Sequence, residues 1–232
     1  MLAWYTREFQ TVEINNSFYR LPLEATFEQW KRTVPVGFIF AVKASRFITH
    51  IKRLKDPKDS IDLFFSRAKH LGPHLGPVLF QLPPKWKADI GRLREFLSLL
   101  PRGQKYVVEF RDDSWYTHQV RDLLHQHNIA LCLHDWRSAQ WSRELTATFT
   151  YIRFHGTTGK YAGNYPEHLL GTWASRIAEW AQNLSEVFVY FNNDVGGYAV
   201  RNARTLRSLL QRLGKSAGVG VAHFGHKSRH AA

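Results

Sequence analysis

Residues 105–115, KYVVEFRDDSW, place Tyr106, Val108 and Phe110 on one side of a short extended run and Val107, Glu109 and Arg111 on the other. Successive side chains of a strand point to opposite faces, so one face is wholly apolar while the other begins apolar and ends in an acid and a base. The same design recurs along the chain. Val12 and Ile14 oppose Glu13 and Asn15, and Phe40 and Val42 oppose Ala41, Lys43 and Ser45. Further on, Val78, Phe80 and Leu82 oppose Leu79 and Gln81; Ile152 and Phe154 oppose Arg153 and His155; and Val187, Val189 and Phe191 oppose Tyr190 and Asn192. A polar end repeated on one strand face is the feature any fold of this chain must accommodate.

Helical segments separate these strands. Apolar positions at helical spacing mark helices at 24–33, 60–71, 89–100, 117–127, 169–182 and 198–213, and strands alternating with helices imply parallel βαβ units. An open doubly wound sheet is covered on both faces and calls for strands apolar on both sides. A barrel needs one apolar, helix-facing side and an inward side that can turn polar at the mouth. The alternation therefore predicts a TIM-type (β/α)8 barrel whose C-terminal strand ends form the functional face. The sequence supplies seven strands, with the first of the usual eight missing, and it opens in mid-helix with Leu2, Tyr5 and Phe9 at helical spacing. Missing upstream sequence and an open edge between strands 11–15 and 187–191 are expected. Residues 1–213 read as one N-terminally incomplete barrel domain, and the Gly/Ser/His/Lys-rich residues 214–232 as a disordered tail.

Composition narrows the class of protein. The single cysteine, Cys132, excludes an internal disulfide framework and fits a reducing compartment. No apolar run has the length of a membrane span, and the N-terminus lacks a secretory signal layout, so a cytoplasmic location is expected. A net charge of +13 suits anionic partners, either nucleic acid or small anionic substrates, and equally the plainer reading of a basic solvated surface.

Several of these motifs together, TVEINNSFYRLP, FAVKASRFITH, LFQLPP, EFRDDSW, RFHG with GKYAGNY, and VYFNND, resemble the YecE-like family, domain of unknown function 72, over residues 2–213. The resemblance implies a (β/α)8 barrel and no particular reaction. It also implies a first strand with a Gly-Thr-Ser-Gly-Trp-like segment, which this chain lacks.

In a barrel, Glu13, Asn15, Lys43, Gln81, Glu109, Arg111, Arg153, His155 and Asn192 converge on one rim. Two carboxylates among cations suit acid/base chemistry, with Glu109 as principal acid/base residue and Glu13, Lys43 and His155 as further catalytic candidates. A desolvated Lys43 suits Schiff-base chemistry, and otherwise binds an anion. The alternative is structural: Glu109 with Arg111, or Glu13 with Lys43, as buried ion pairs. Asn15, Gln81, Arg111, Arg153, Asn192 and Asn193 are candidate substrate-binding groups. The loop at 156–163, with Gly156, Gly159, Lys160 and Tyr161, follows a late barrel strand, where barrels often hold phosphate. No cofactor is expected. A divalent metal on Glu13, Glu109, His134, Asp135 and His155 is disfavoured by the neighbouring Lys43, Arg111 and Arg153.

Three functions compete. One is an enzyme (hydrolase, lyase or isomerase) acting on an anionic or phosphate-bearing substrate. Another is a nucleic-acid-binding protein or metal-dependent nuclease. It would use the basic loop 46–58, Arg201, Arg204, Arg207 and Arg212 of the last helix, and Phe18, Tyr19, Trp115, Trp136 and Tyr161 as stacking platforms. The third is an inactive truncated homologue.

Overall fold

The computed structural model describes residues 2–135, 144–158, 161–214 and 218–221, the last four by backbone alone. Its strands are β1 (Thr11–Ile14), β2 (Ile39–Lys43), β3 (Leu75–Gln81), β4 (Tyr106–Glu109), β5 (Ala130–His134), β6 (Phe149–Phe154), β7 (Glu186–Phe191) and β8 (Gly218–Val221). Each pairs in parallel with the next, and β8 returns to β1, so the sheet closes into a barrel. The helices are α1 (Leu2–Glu8), α2 (Asn16–Tyr19), α3 (Glu24–Thr33), α4 (Lys58–Ala68), α5 (Ile90–Ser98), α6 (His118–Gln126), α7 (Glu167–Trp180) and α8 (Tyr198–Arg212).

The expectation of seven strands and an open edge is corrected here. Residues read as tail form β8, which pairs with β7 through Phe188 to Phe191 and meets β1 at Val12 and Val221. The segment GVGV is too short and too glycine-rich to stand out in sequence, and only the two unpaired edges facing each other give it a place. Residues 215–217 and 222–232 of the expected tail lie outside the described residues.

Strand parity sorts the side chains into two cores. Val12, Ile14, Phe40, Val42, Val78, Phe80, Val108, Phe110, Leu133, Ile152, Phe154, Val189 and Phe191 face outward into the layer between sheet and helices. There they meet helix stripes such as Leu93, Phe96 and Leu97 of α5 and Ala199, Ala203, Leu206 and Leu210 of α8. Inward-facing Ala41, Leu79, Val107, Ala130, Cys132, Phe149, Tyr151, Phe188 and Tyr190 plug the barrel. Local signals fix the helix starts: the Asp89 carboxylate accepts from the Arg92 amide (3.0 Å), and the Thr117 hydroxyl from the Val120 amide (3.3 Å).

The outer end of α8 is tied to α1. Arg204 pairs with Glu8 at 3.0 Å, Arg207 donates to the Glu8 carbonyl, and the Arg207 guanidinium stacks 5.4 Å from the Phe9 ring centroid. Two of the four arginines that suggested a nucleic-acid face thus hold helices together.

Because β8 supplies the only backbone partners between β7 and β1 among the described residues, ending the chain after Gly214 should leave both edges bare. The expected outcome is a lower melting temperature and aggregation on standing. A truncated chain that melts like the full one and stays monomeric would show that the barrel does not need this strand.

Candidate functional site

The polar strand ends do converge. Above the inner plug, three buried charged groups meet: Glu13 from β1, Glu109 from β4 and Arg153 from β6, all at most 3% exposed. Arg153 bridges the two acids, with Nη2 2.7 Å from Glu13 Oε1 and Nη1 2.5 Å from Glu109 Oε2. The Tyr151 hydroxyl donates to Glu13 Oε2 at 2.6 Å, and Arg111 closes on Glu109 Oε1 through both Nε and Nη2. Burial alone would discourage ionisation of Glu109, but the guanidiniums of Arg111 and Arg153 outweigh it and hold the carboxyl well below its usual range. Burial likewise opposes the charge on Arg153, and Glu13 and Glu109 reverse that, so it stays protonated.

The structural pairing expected for Glu109 and Arg111 is present. The one expected for Glu13 and Lys43 is not, because Glu13 pairs with Arg153. Lys43, at the end of β2, is 8% exposed and makes no salt bridge among the described residues. Its Nζ donates to the neutral Gln81 Oε1 at 2.7 Å and stands 3.9 Å from the Phe18 ring centroid. Burial first, and then the charge of Arg153, lower its pKa from 10.5 to about 7, against the opposing pull of Glu109 and Glu13.

His155 follows β6 and is held at both ring nitrogens. Nδ1 lies 3.2 Å from Asp135 Oδ1, whose carboxylate also accepts from the His155 amide at 2.8 Å. That contact places the ring proton on Nδ1, so Nε2 accepts from Arg111 Nη2 at 3.1 Å. Burial, only partly offset by Asp135, lowers the pKa of His155. His134, beside Phe110 O (3.2 Å) and the Tyr116 hydroxyl (3.1 Å), is pushed by burial to about 4. Both rings are neutral near pH 7. Asp135, His155 and Arg111 form a line of hydrogen bonds that steers the Arg111 guanidinium.

The glycine loop after β6 is held by hydrogen bonds of its own. The Gly156 amide donates to the Tyr165 hydroxyl at 2.7 Å, and Tyr165 in turn donates to Asp135 Oδ2. The Thr158 amide is taken by Ala162 O at 3.3 Å. Gly156 (φ 113°) and Gly163 (φ 94°) adopt backbone open only to glycine, and a Cβ at either would strike the facing loop backbone. Asn193, an expected ligand group, donates through Nδ2 to Gly163 O and to Asn202 Oδ1, both at 2.8 Å, and so joins the loop to α8. Gly159, Lys160 and Trp136 lie outside the described residues.

Asn15, Gln81, Arg111 and Asp135 are half-buried at the rim, and Asn192 is buried beside them. Tyr19 and Tyr161 are exposed there, whereas Trp115 is 1% exposed and stacked on Phe110, which removes it from the ligand-facing set. Sequence reading missed Tyr151 and Asn202. Tyr151 shares the inward parity of Arg153, and Asn202 interrupts an otherwise apolar helix stripe; both signals were available. Among the described residues no three His, Cys, Asp or Glu side chains group as metal ligands. No helix of the described residues is long and apolar enough to cross a membrane.

Removing Arg153 takes the bridging cation from Glu13 and leaves Glu109 with Arg111, so Arg153→Met should cost about 3–5 kcal/mol. Glu109 has a depressed folded pKa; its contribution is therefore complete above the ordinary carboxyl value of 4.5 and drains away as pH falls below it. Denaturant melts from pH 7 to 3 should show wild-type stability falling more steeply than that of Glu109→Gln. Parallel slopes would mean that Glu109 is not ionised in the fold.

A family model described as "Protein of unknown function DUF72" matches residues 1–222. Similar chains include the UPF0759 protein YunF of Bacillus subtilis (strain 168), 28% identical, with 90% of this chain and 86% of that one covered. The UPF0759 protein YecE of Escherichia coli (strain K12) is 25% identical, with 84% and 80% covered. A DUF72 family protein from Thermotoga maritima MSB8 superposes with a TM-score of 0.79 at 28% identity, covering 88% of this chain and 85% of that one. One from Enterococcus faecalis V583 reaches 0.83 at 19% identity, with 91% and 88% covered, a likeness of fold. With the family model spanning nearly the whole sequence and the barrel shared with solved members, the chain belongs to the DUF72 family.

Proposed function

We propose that the barrel mouth is a catalytic site for a small anionic or phosphate-bearing substrate, with Lys43 as the group that gives and takes the proton. The observation that carries this reading is Lys43 itself, a buried lysine with a neutral hydrogen-bond partner and a pKa brought to about 7. An amine that is half neutral near pH 7 is suited to general acid/base work. Glu109, first expected in that role, is a poor proton acceptor once two guanidiniums hold it ionised. It fits better as the anchor that positions Arg111 and Arg153. Arg111, steered by His155 and Asp135, would take the anionic group of the substrate at the rim, beside Asn15, Gln81 and Asn192.

The sign of the Lys43 effect is testable on stability. Between about pH 7 and 10.5 the unfolded chain holds a proton on Lys43 that the folded chain lacks, so stability should rise with pH across that window. The rise is at most about 1.4 kcal/mol per pH unit. Lys43→Met should flatten it, and trace acetylation of Lys43 should show a midpoint near 7. A midpoint shared with surface lysines would overturn the reading. Inorganic phosphate and small carboxylates should raise the wild-type melting temperature and lose that effect in Lys43→Met and Arg111→Met.

One observation favours nucleic acid as a second reading. The segment after β2 contains a π-helical turn, Phe47–Ile51, and left-handed backbone at Arg53, Leu54 and Asp56, and it exposes Arg46, Phe47, Ile51, Arg53 and Lys55. Strained loops of this kind cluster at functional sites. If it binds nucleic acid, neutralising Arg53 and Lys55 should weaken binding to all sequences alike and flatten the salt slope. Unchanged binding would return both to the solvated surface.

A further inference from the structure

We infer that Lys43 is a nucleophile as well as a base, and that the mouth takes an aldehyde or ketone bearing a carboxylate or phosphate, which it binds as an imine. This rests on the acid/base reading above and names its substrate class. The geometry separates Lys43 from a lysine built only to hold an anion. Such a lysine keeps its charge, and proteins usually secure a buried ammonium with a carboxylate. Here both nearby carboxylates are committed elsewhere, Glu13 to Arg153 and Tyr151, and Glu109 to Arg153 and Arg111. Among the described residues, the hydrogen-bond acceptor left to Lys43 is one amide oxygen, Gln81 Oε1. A neutral amine that donates one N–H to Gln81 keeps its lone pair for a carbonyl carbon.

The surroundings also suit the product. The Phe18 ring face at 3.9 Å meets the positive charge of a protonated imine. The charged and titratable groups around Lys43 are Glu13 on β1, Glu109 and Arg111 at β4, Arg153 on β6, and His50 on the turn after β2. His50 is held neutral, its pKa lowered to about 4 by burial and then by Lys43. Burial first, and then the two arginines, disfavour the charged amine, and the two acids partly offset the arginines, so no large field opposes an anionic substrate.

The step balances without a cofactor. Nζ attacks the carbonyl carbon, and the C=O π pair moves to oxygen to give a carbinolamine. The carbonyl oxygen then leaves as water, carrying the two hydrogens that Nζ held, and a C=N bond remains. Hydrolysis reverses the sequence. While the imine stands, it draws electrons from the adjacent carbon, which is what proton removal or carbon–carbon cleavage next to a carbonyl requires.

The full-length protein is incubated with glyoxylate at pH 7, reduced with sodium cyanoborohydride and mapped by peptide mass spectrometry. The expected result is reductive alkylation of Lys43 at least about tenfold above exposed Lys55 and Lys58, since ordinary lysines are almost wholly protonated at that pH. The preference should shrink at pH 10 and vanish in Lys43→Arg, whose folding is checked by its melting temperature. Uncharged propionaldehyde should label Lys43 less than glyoxylate does; equal labelling would overturn the anionic arm of the substrate class. Adducts spread evenly over surface lysines would overturn the imine. If Lys43 is then still acetylated with a midpoint near 7, the imine alone has failed and the proton-transfer reading stands. If it is acetylated only with the surface lysines, both have failed.

Discussion

The interaction on which the rest depends is the bridge of Arg153 between Glu13 and Glu109. Two strands separate the acids around the barrel, and both are wholly buried, where a carboxylate calls for a counter-charge in the same low-dielectric space. Arg153 reaches in from β6 and supplies one fork to each. Its planar, permanently charged group can do this where a lysine cannot. The bridge therefore joins β1, β4 and β6 across the axis and sets the height at which the inner plug stops being apolar.

Everything above that height inherits its electrostatics. With Glu109 spent on two guanidiniums and Glu13 on one, Lys43 has no acid of its own among the described residues. Its low basicity comes first from burial and then from the charge of Arg153, and the two acids only partly oppose them. Arg111 is likewise placed by what it touches, Glu109 below and His155 beside it, with Asp135 fixing the histidine's proton. The glycine loop is tied down by Tyr165, Asn193 and Asn202. These bonds shape the wall of the mouth, and one of them engages the Gly156 amide.

Helix and strand positions were legible from the chain because each side of every strand has one chemical environment. The outward face must be apolar to meet helices, and the inward face turns polar only at the mouth; alternation in sequence reports both. The same parity identified Glu13, Lys43, Glu109, Arg111, Arg153 and His155 as neighbours. It failed at GVGV, where small residues carry no facial signal and closure depends on the far end of the chain, Val221 meeting Val12. It failed also at Trp115, whose aromatic character suits a ligand platform or a core equally well.

By itself the sequence determined a parallel barrel, its outer and inner faces and the set of polar groups gathered at one end. Those are consequences of local periodicity and of burial, which any single chain records. The tertiary structure alone decided which acid answers which base. Pairing is a matter of distances across the barrel axis, and Glu13 could have met Lys43 as readily as Arg153 on parity alone. That choice leaves Lys43 without a salt bridge among the described residues and with Gln81 Oε1 as its hydrogen-bond acceptor.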